Sequence, residues 1–489
     1  MRRFVVCLAL VAASVLSSCR YALSPRETKA DGFVYIDEQN RFALEGSPWF
    51  PLMLNYKLDA DLTPVSYYGD GAMAAHFQEI AAMGFNTVRI CMDVTNEDEN
   101  GLFYNTSADP WRLAKDTLPI FERVDSVLCW AGQNGLRVML LIKPPLCRET
   151  RAFTKALLRH CAGNATLWAY DFMNEPLYFA PDTLETKDKA YRVVREWRRM
   201  MEHYAPHQLF TIGFAEPIEV FEWDPYLLPV DFVEIHTYHP LRFEAEIAWY
   251  RRLGKPWMIG ETALPADNRE VGYEAQCAFL EQSFQMALDY RASGYGWWEY
   301  RDCPKGVNFE AQYAGLVDSN GQKKPAAERV RGLWHFRSGK DKLPRRDYSN
   351  FLLYRNVCVK GVVCDKKSRQ PVDNVVVRGW NEDWSVGVNT FFHEDDGCFY
   401  LWGNDFFSHF EISAPGYTKA KFDKKLFNDK DSVCLPNRGR EYQSIPLLEG
   451  TDSLAFFRYS SLKPKPEEAL FRATLDAVFL ERKVRRRNH

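Results

Sequence analysis

The sequence lacks an excess of either charge: 62 Lys and Arg stand against 65 Asp and Glu, a formal charge of −3. Because nucleic-acid-binding proteins usually carry a clear basic surplus, this balance argues against nucleic acid as a partner. The twelve Cys residues include no C-x-x-C pair, so we expect neither a metal nor another cofactor. Beyond the N-terminus, no apolar run approaches the roughly 20 residues that span a bilayer.

The N-terminal segment resembles a bacterial export signal. Arg2 and Arg3 precede an apolar run over 4–16, which is too short to span a bilayer, and Leu16-Ser17-Ser18-Cys19 resembles a lipobox. The pattern predicts a signal peptide over 1–18, lipidation of Cys19 and a tether over 19–32. The protein would then be held at the cell envelope, on the periplasmic or outer surface, by a lipid anchor in the membrane. The alternative is a plain signal peptide followed by an incidental cysteine.

Export would permit disulfide bonds among the remaining ten cysteines. Cys147 with Cys161, or Cys358 with Cys364, are close enough in sequence to be considered. A chain of 489 residues with 46% hydrophobic content does not need such bonds to stabilise its core. Because Cys91 and Cys129 lie in apolar runs, we expect these two to be buried free thiols.

Between residues 33 and 337, short apolar runs alternate with longer amphipathic ones. Four helical patterns are clearest, around 73–80, 121–131, 191–201 and 280–290. Apolar strands that are each followed by a helix are typical of a parallel sheet, and eight repeats fit a closed (β/α)8 TIM barrel better than an open sheet. The predicted strands are 50–55, 87–92, 137–142, 168–173, 209–214, 232–236, 257–260 and 295–298.

The alternation of apolar and amphipathic runs ends at a polar linker over 338–355. Short β-like runs at 357–363, 374–378, 398–402 and 410–413, separated by turn signals, predict a small all-β sandwich domain over 356–450. Residues 451–489 are interpreted as a tail with a helix over 467–481. The overall fold class is therefore α/β, with a barrel followed by a β-sandwich.

Functional groups of a parallel barrel collect at the C-terminal ends of its strands. Glu175 follows the fourth predicted strand and Glu261 follows the seventh. Cleavage of a glycosidic bond needs such a pair: one carboxyl group donates a proton to the leaving oxygen, and the other carboxylate attacks or directs water. A single glutamate after a strand is equally compatible with a structural ion pair, whereas two glutamates at matching strand ends favour a catalytic role.

These positions resemble the glycoside hydrolases of family five, the cellulase and β-mannanase family, or a close member of their retaining clan. Besides Asn174-Glu175-Pro176 and Gly260-Glu261, the resemblance rests on Arg89, His236-x-Tyr238, Trp298, Gly315-Leu316-Val317-Asp318 and Lys324-Pro325. It implies a retaining β-glycosidase that acts on a β-glucan or β-mannan type of glycan as a monomer.

The resemblance also implies roles for individual residues. Glu175 would be the acid/base and Glu261 the nucleophile, with Arg89 and Tyr238 bonded to Glu261. Asn174 would bind the sugar 2-hydroxyl, His236 would lie near the acid/base and Trp298 would stack under the sugar. His236 and Trp298 would otherwise be ordinary core residues. Where the family commonly has His near the end of strand three, this chain has Lys143, which would neutralise an acidic or bulky sugar substituent or simply cap the strand.

The C-terminal module resembles a carboxypeptidase-regulatory-like β-sandwich in several stretches, among them 360–365, 371–377 and 396–401. We interpret it as a spacer or docking module rather than a sugar-binding domain, for which Trp380, Trp384 and Trp402 are the candidate residues. Two other functions remain open for the whole chain: a catalytically silent sugar-binding lipoprotein, and a transglycosylase that uses the same two glutamates.

Overall fold

The structure is a computed structural model. It describes residues 29–58, 64–65, 68, 73–91, 95–97, 103–105, 118–176, 187–215, 220, 223, 225, 228–238, 243, 247, 250, 253–304, 312–339, 357–372, 375–380, 387–392, 398–402, 409–414, 417, 420–423, 427–435, 470–475 and 478–480. The predicted signal peptide with Cys19, the linker after residue 339 and Trp384 lie outside these residues. No helix within them is long and apolar enough to cross a membrane.

Eight parallel strands form a closed barrel, as predicted. In barrel order they are β4 (Leu52–Lys57), β5 (Thr87–Cys91), β8 (Arg137–Leu141), β9 (Leu167–Asn174), β10 (Leu209–Phe214), β11 (Val233–His236), β12 (Trp257–Glu261) and β13 (Gly294–Trp297). Each observed strand begins and ends within two residues of its prediction. The strands are almost entirely buried, because helices cover the outside of a parallel sheet and side chains fill its interior.

The helices of the described residues are α1 (Met73–Met83), α2 (Leu118–Gln133), α3 (Arg148–Cys161), α4 (Lys187–Tyr204), α5 (Tyr273–Asp289), α6 (Pro325–Arg329) and α7 (Leu333–Arg337). In α1 the buried side chains recur at helical spacing, for example Met73, Phe77 and Ile80, so one stripe faces the barrel. The four predicted helices are confirmed, whereas α3, α6 and α7 were not predicted.

A small antiparallel sheet covers the end of the barrel where the strands begin. Its strands are β1 (Tyr35–Ile36), β2 (Phe42–Leu44) and β3 (Ser47–Pro48). Phe42 is fully buried, with ring centroids 5.2 Å from Trp168 and 5.0 Å from Phe232. Both partners lie at or just before the start of a barrel strand, so the sheet closes the interior with an aromatic plug. The two strands β6 (Thr95–Glu97) and β7 (Phe103–Asn105) pair with each other.

After residue 357 the described strands form two sheets. One contains β15 (Val375–Trp380), β16 (Gly387–Phe392), β18 (His409–Ser413) and β19 (Ala420–Asp423), and the other contains β14 (Val357–Asp365), β17 (Cys398–Trp402), β20 (Phe427–Leu435), β21 (Leu470–Leu475) and β22 (Val478–Leu480).

The predicted helix over 467–481 is wrong, because β21 and β22 lie there and both pair with β14. Its leucine- and alanine-rich composition favours helix locally, but pairing with a neighbouring strand outweighs such a propensity.

The cysteine predictions are only partly confirmed. Cys91 is a buried free thiol, but Cys129 is exposed. The pairing of Cys147 with Cys161 is wrong, because both are free and they flank the 14-residue helix α3, whose ends are roughly 20 Å apart. Cys364 is free as well, which excludes its bond to Cys358 on the same strand.

Candidate active site

The residues singled out in the sequence come together at the C-terminal end of the barrel. Asn174 and Glu175 lie where β9 ends, His236 ends β11, and Glu261 ends β12. Arg89 lies within β5, two residues before the strand ends, and its side chain is fully buried. Since parallel strands point their C-terminal ends to one face, residues far apart in sequence meet here.

Glu175 is held by an unusual backbone conformation. Its φ is +44°, in the left-handed region that non-glycine residues rarely adopt. Its N–H donates to the carbonyl of Gly213 at 2.7 Å, which ties the turn to β10. Its side chain is 18% exposed, and Oε1 lies 2.7 Å from His236 Nδ1. The turn therefore directs a partly open carboxyl group into the mouth of the barrel.

Glu261 is more deeply buried and lies among donors. Arg89 Nη1 donates to Oε1 at 2.5 Å, and the Tyr238 hydroxyl donates to Oε2 at 2.6 Å. Burial alone would raise the pKa of Glu261, but the positive charges of His236 and Arg89 and these two hydrogen bonds outweigh it and lower the pKa. Glu261 is thus kept as a carboxylate.

The two carboxyl groups lie close to one another. One ligand atom each from Glu175, His236 and Glu261 lies within 4.8 Å of the other two. Three such atoms could in principle hold a metal ion. In this structure the three groups contact one another. His236 Nδ1 is hydrogen-bonded to Glu175 and lies 3.5 Å from Glu261 Oε2, and this oxygen also accepts a hydrogen bond from the Tyr238 hydroxyl.

His236 is fully buried between acidic groups. Burial disfavours its charged form, but Glu261, followed by the hydrogen bond to Glu175 and the nearby carboxyl group of Glu234, raises the pKa of His236 to about 10. The ring is therefore protonated at neutral pH and donates from Nδ1 to Glu175.

Arg89 is the centre of the charged layer beneath the two glutamates. Besides Glu261 it donates to Asp171 Oδ2 from Nη2 at 2.6 Å, to Asn174 Oδ1 at 2.8 Å and to Asn55 Oδ1 at 2.9 Å. Asp171 and Asn55 were missed in the sequence because they lie inside strands, where an isolated polar residue carries no motif. The available signal was that polar residues interrupt otherwise apolar barrel strands.

Trp298 directly follows β13 and is half-buried. The ammonium group of Lys57 lies 4.8 Å from the centre of its ring and 3.4 Å from Glu299 Oε1. Glu299 is itself buried and accepts a hydrogen bond from the Tyr68 hydroxyl at 2.9 Å. The sequence did not predict that Lys57, at the end of the first barrel strand, lies against Trp298, because Lys57 and Glu299 belong to none of the quoted motifs.

Lys143 lies two residues beyond the end of β8, at the same end of the barrel, and is half-buried. The hydrogen bonds and ion pairs of Glu175 and Glu261 do not include it. Residues 98–102, 106–117 and 177–186 lie outside the described residues.

Solved structures of several glycosidases resemble the chain. An exo-β-1,4-mannosidase, Op5Man5, from Opitutaceae bacterium strain TAV5 is 17% identical with a TM-score of 0.50, covering 69% of this chain and 67% of that one. An endo-β-1,4-mannanase from Thermotoga petrophila is 16% identical with a TM-score of 0.42, covering 77% and 97%. An endocellulase from Pyrococcus horikoshii is 13% identical with a TM-score of 0.44, covering 63% and 100%. At these identities the likeness concerns the fold.

No curated protein sequence matches the chain significantly. The family model described as cellulase, glycosyl hydrolase family 5, matches residues 55–302. This range is half of the chain and contains Asn55, Arg89, both glutamates and Trp298. The chain therefore belongs to glycosyl hydrolase family 5.

Proposed function

We infer that the protein is a retaining glycoside hydrolase of β-linked glycans, with Glu261 as the nucleophile and Glu175 as the acid/base. The observation that carries this proposal is the spacing of the two carboxyl groups. Retaining enzymes hold them about 5–5.5 Å apart, whereas inverting enzymes leave about 6.5–9.5 Å for a water molecule. Here one oxygen of each lies within 4.8 Å of the other, which favours the shorter separation of the retaining enzymes.

The assignment of roles follows from the surroundings of each carboxyl group. Glu261 accepts from Arg89 and Tyr238 and has a lowered pKa, as a nucleophile that must be ionised requires. Glu175 is more exposed, and its partner is the protonated ring of His236. A residue that gives and takes a proton needs such access to solvent.

The reaction proceeds in two displacements. In the first, a carboxylate oxygen of Glu261 attacks the anomeric carbon while Glu175 transfers its proton to the departing glycosidic oxygen. In the second, Glu175 removes a proton from water, the water oxygen attacks the anomeric carbon, and the bond to Glu261 breaks. The amide oxygen of Asn174 is bound by Arg89, so its nitrogen is the group left to donate to the sugar 2-hydroxyl, and Trp298 offers a flat face for the ring.

A substrate panel tests the proposal. The purified protein is offered β-1,4-linked gluco- and manno-oligosaccharides, since the family is that of the cellulases and the Opitutaceae structure is a β-1,4-mannosidase. The first-formed product should carry the β-anomer, as measured by NMR before mutarotation. A transglycosylase would instead make longer products when acceptor sugar is added, and a silent binding protein would retain sugar without releasing any product.

Substitution of each glutamate distinguishes the roles. Glu175→Gln should lower kcat by about 10²–10⁴-fold, and Glu261→Gln by at least as much, with the unfolding temperature little changed. Added azide should restore turnover of an activated aryl glycoside by Glu175→Ala and give the β-glycosyl azide. Glu281→Gln, which changes a half-buried carboxyl group on α5 beside Arg329, is the matched control and should retain full activity. Near-full activity in either catalytic variant would contradict the assignment.

A further inference from the structure

A third glutamate, Glu234, lies inside the barrel and is not used in the two displacements. It is on β11, two residues before His236, and its side chain is fully buried. Its Oε1 lies 3.5 Å from Arg89 Nε and 3.9 Å from His236 Nε2. Within the described part of the chain, neither carboxylate oxygen has a hydrogen bond of ordinary geometry. An apolar side chain would fill this position at a lower desolvation cost, so packing alone does not account for Glu234.

Two glycines make space for this group. A Cβ at Gly260 on β12 would overlap the Glu234 carboxylate. On the other neighbouring strand, a Cβ at Gly213 would come within 2.8 Å of His236 Nε2 and 2.9 Å of Asp171 Oδ2. The strands on both sides of β11 thus lack side chains where the charged groups lie. The glycines of the two neighbouring strands therefore leave the space that the side chains of Glu234 and His236 occupy.

The imidazole ring of His236 lies between acidic groups on both sides. Nδ1 is 2.7 Å from Glu175 Oε1 and 3.5 Å from Glu261 Oε2, whereas Nε2 faces Glu234 and likewise has no hydrogen-bond partner among the described residues. With a carboxyl group near each nitrogen, the doubly protonated ring is favoured. The ring then donates to Glu175 and presents a positive charge to Glu261.

Resting on the proposed function, we propose that Glu234 is a positioning residue: it holds His236 in its protonated form, and its buried charge sets the pH range in which the Glu175–Glu261 pair works. The geometry joins the buried carboxyl group of Glu234 to the acid/base through a single imidazole ring. Glu234 touches neither substrate nor reacting atoms.

The direction of the effect follows from charge. Loss of the Glu234 carboxyl group removes an acidic neighbour of His236, so the ring loses its proton at a lower pH. The pKa of His236 starts at about 10, so the ring keeps its positive charge over the working pH range of the pair. What the pair loses in the variant is a buried negative charge nearby, and this loss favours the ionised form of a carboxyl group. Both limbs of the pH profile of kcat/KM should therefore move downward. The other titratable or charged groups that face this centre are Arg89 and Cys91 from β5, Asp171 from β9, and Tyr238 after β11.

The test compares three proteins: the parent, Glu234→Gln, which keeps the shape, and Glu234→Asp, which keeps the charge. Both limbs of kcat/KM in Glu234→Gln should shift downward by about one pH unit, the size expected for loss of a charge within about 4–6 Å. Glu234→Asp should return both limbs close to those of the parent even if kcat falls. Ile235→Val on the same strand, whose side chain packs outside the barrel interior in the hydrophobic core, should lower the unfolding temperature without moving either limb.

A second readout does not depend on activity. In protein with isotope-labelled histidine, His236 should titrate near its pKa of about 10 in the parent and at least about one unit lower in Glu234→Gln. The proposal is overturned if His236 titrates identically in both proteins, or if the limbs of Glu234→Gln superimpose on those of the parent or move to higher pH. If the parent cleaves no glycan, the proposed function fails, and the histidine titration still decides the role of Glu234.

Discussion

The two ends of the barrel interior differ in the side chains that fill them: one end is apolar and the other is charged. Where the strands begin, Phe42 of the covering sheet packs on Trp168 and Phe232, with Met53 and Met258 nearby in one apolar cluster. Where the strands end, the interior is a charged layer around Arg89 and His236. The apolar end contributes stability through burial. The charged end contributes little net stability, because desolvation offsets the attraction within buried ion pairs, and it holds the two glutamates proposed to be catalytic.

The difference suggests that stability and activity can be altered separately. A substitution at the apolar end should change the free energy of unfolding and leave the reaction intact. A substitution at the charged end should change the reaction, and should affect stability only where it leaves a buried charge without its partner.

The largest effect is expected for Arg89→Met, which would affect both properties. Asp171, Glu234 and Glu261 would lose the cation they share. At neutral pH the free energy of unfolding should fall by about 3–5 kcal/mol, and kcat/KM by orders of magnitude, as measured by urea unfolding and initial rates.

The stability deficit of Arg89→Met should narrow in acid. The carboxyl groups left without Arg89 would have raised pKa values in the folded state, so folding would bind protons. The loss of folding stability therefore becomes smaller as the pH falls through those values. Arg137→Met is the matched control, because Arg137 lies where β8 begins and donates to backbone carbonyls of Gly32 and Ala165. It should cost about 1–3 kcal/mol with little dependence on pH. An equal, pH-independent loss in both variants would contradict the comparison.

Phe42→Ala should separate stability from activity at the apolar end. Removal of this fully buried ring should lower the free energy of unfolding by about 3–5 kcal/mol, the usual cost of a large core truncation. Below the unfolding transition kcat should stay within about twofold of the parent, since core truncations act through stability when no reacting group moves. A kcat that fell tenfold in fully folded protein would show that the two ends are coupled.

Tyr238→Phe should give the smallest change, and one confined to the charged end. It removes the hydroxyl that donates to Glu261 Oε2 at 2.6 Å. Hydrogen bonds to charged groups contribute about 1.5–3 kcal/mol, so kcat/KM should fall by about 10- to 100-fold.

The same substitution should shift the acid limb of the Tyr238→Phe profile to higher pH. The hydroxyl helps to lower the pKa of Glu261, so without it Glu261 takes up a proton at a higher pH. The urea midpoint should barely move. An unchanged acid limb would mean that Tyr238 does not stabilise the ionised form.

The two glutamates of the proposed catalytic pair could be predicted because they follow apolar strands directly in the sequence. Asn174-Glu175 and Gly260-Glu261 need no long-range information beyond the order of the strands. Asp171 and Glu234 could not be predicted in the same way, because each is a single polar residue within a strand. Their shared partner, Arg89, lies on another strand, β5, and only closure of the barrel brings the three together.

The sequence alone determined the eight strands, their order and the end of the barrel that carries the functional residues, because apolar periodicity and strand ends are local properties. The tertiary structure decided what local patterns leave open. It brought Glu175 and Glu261 within 4.8 Å, placed β1–β3 over the opposite end and drew β21 and β22 into pairing with β14. Such contacts depend on which surfaces face one another after folding, and neither propensity nor spacing along the chain specifies that.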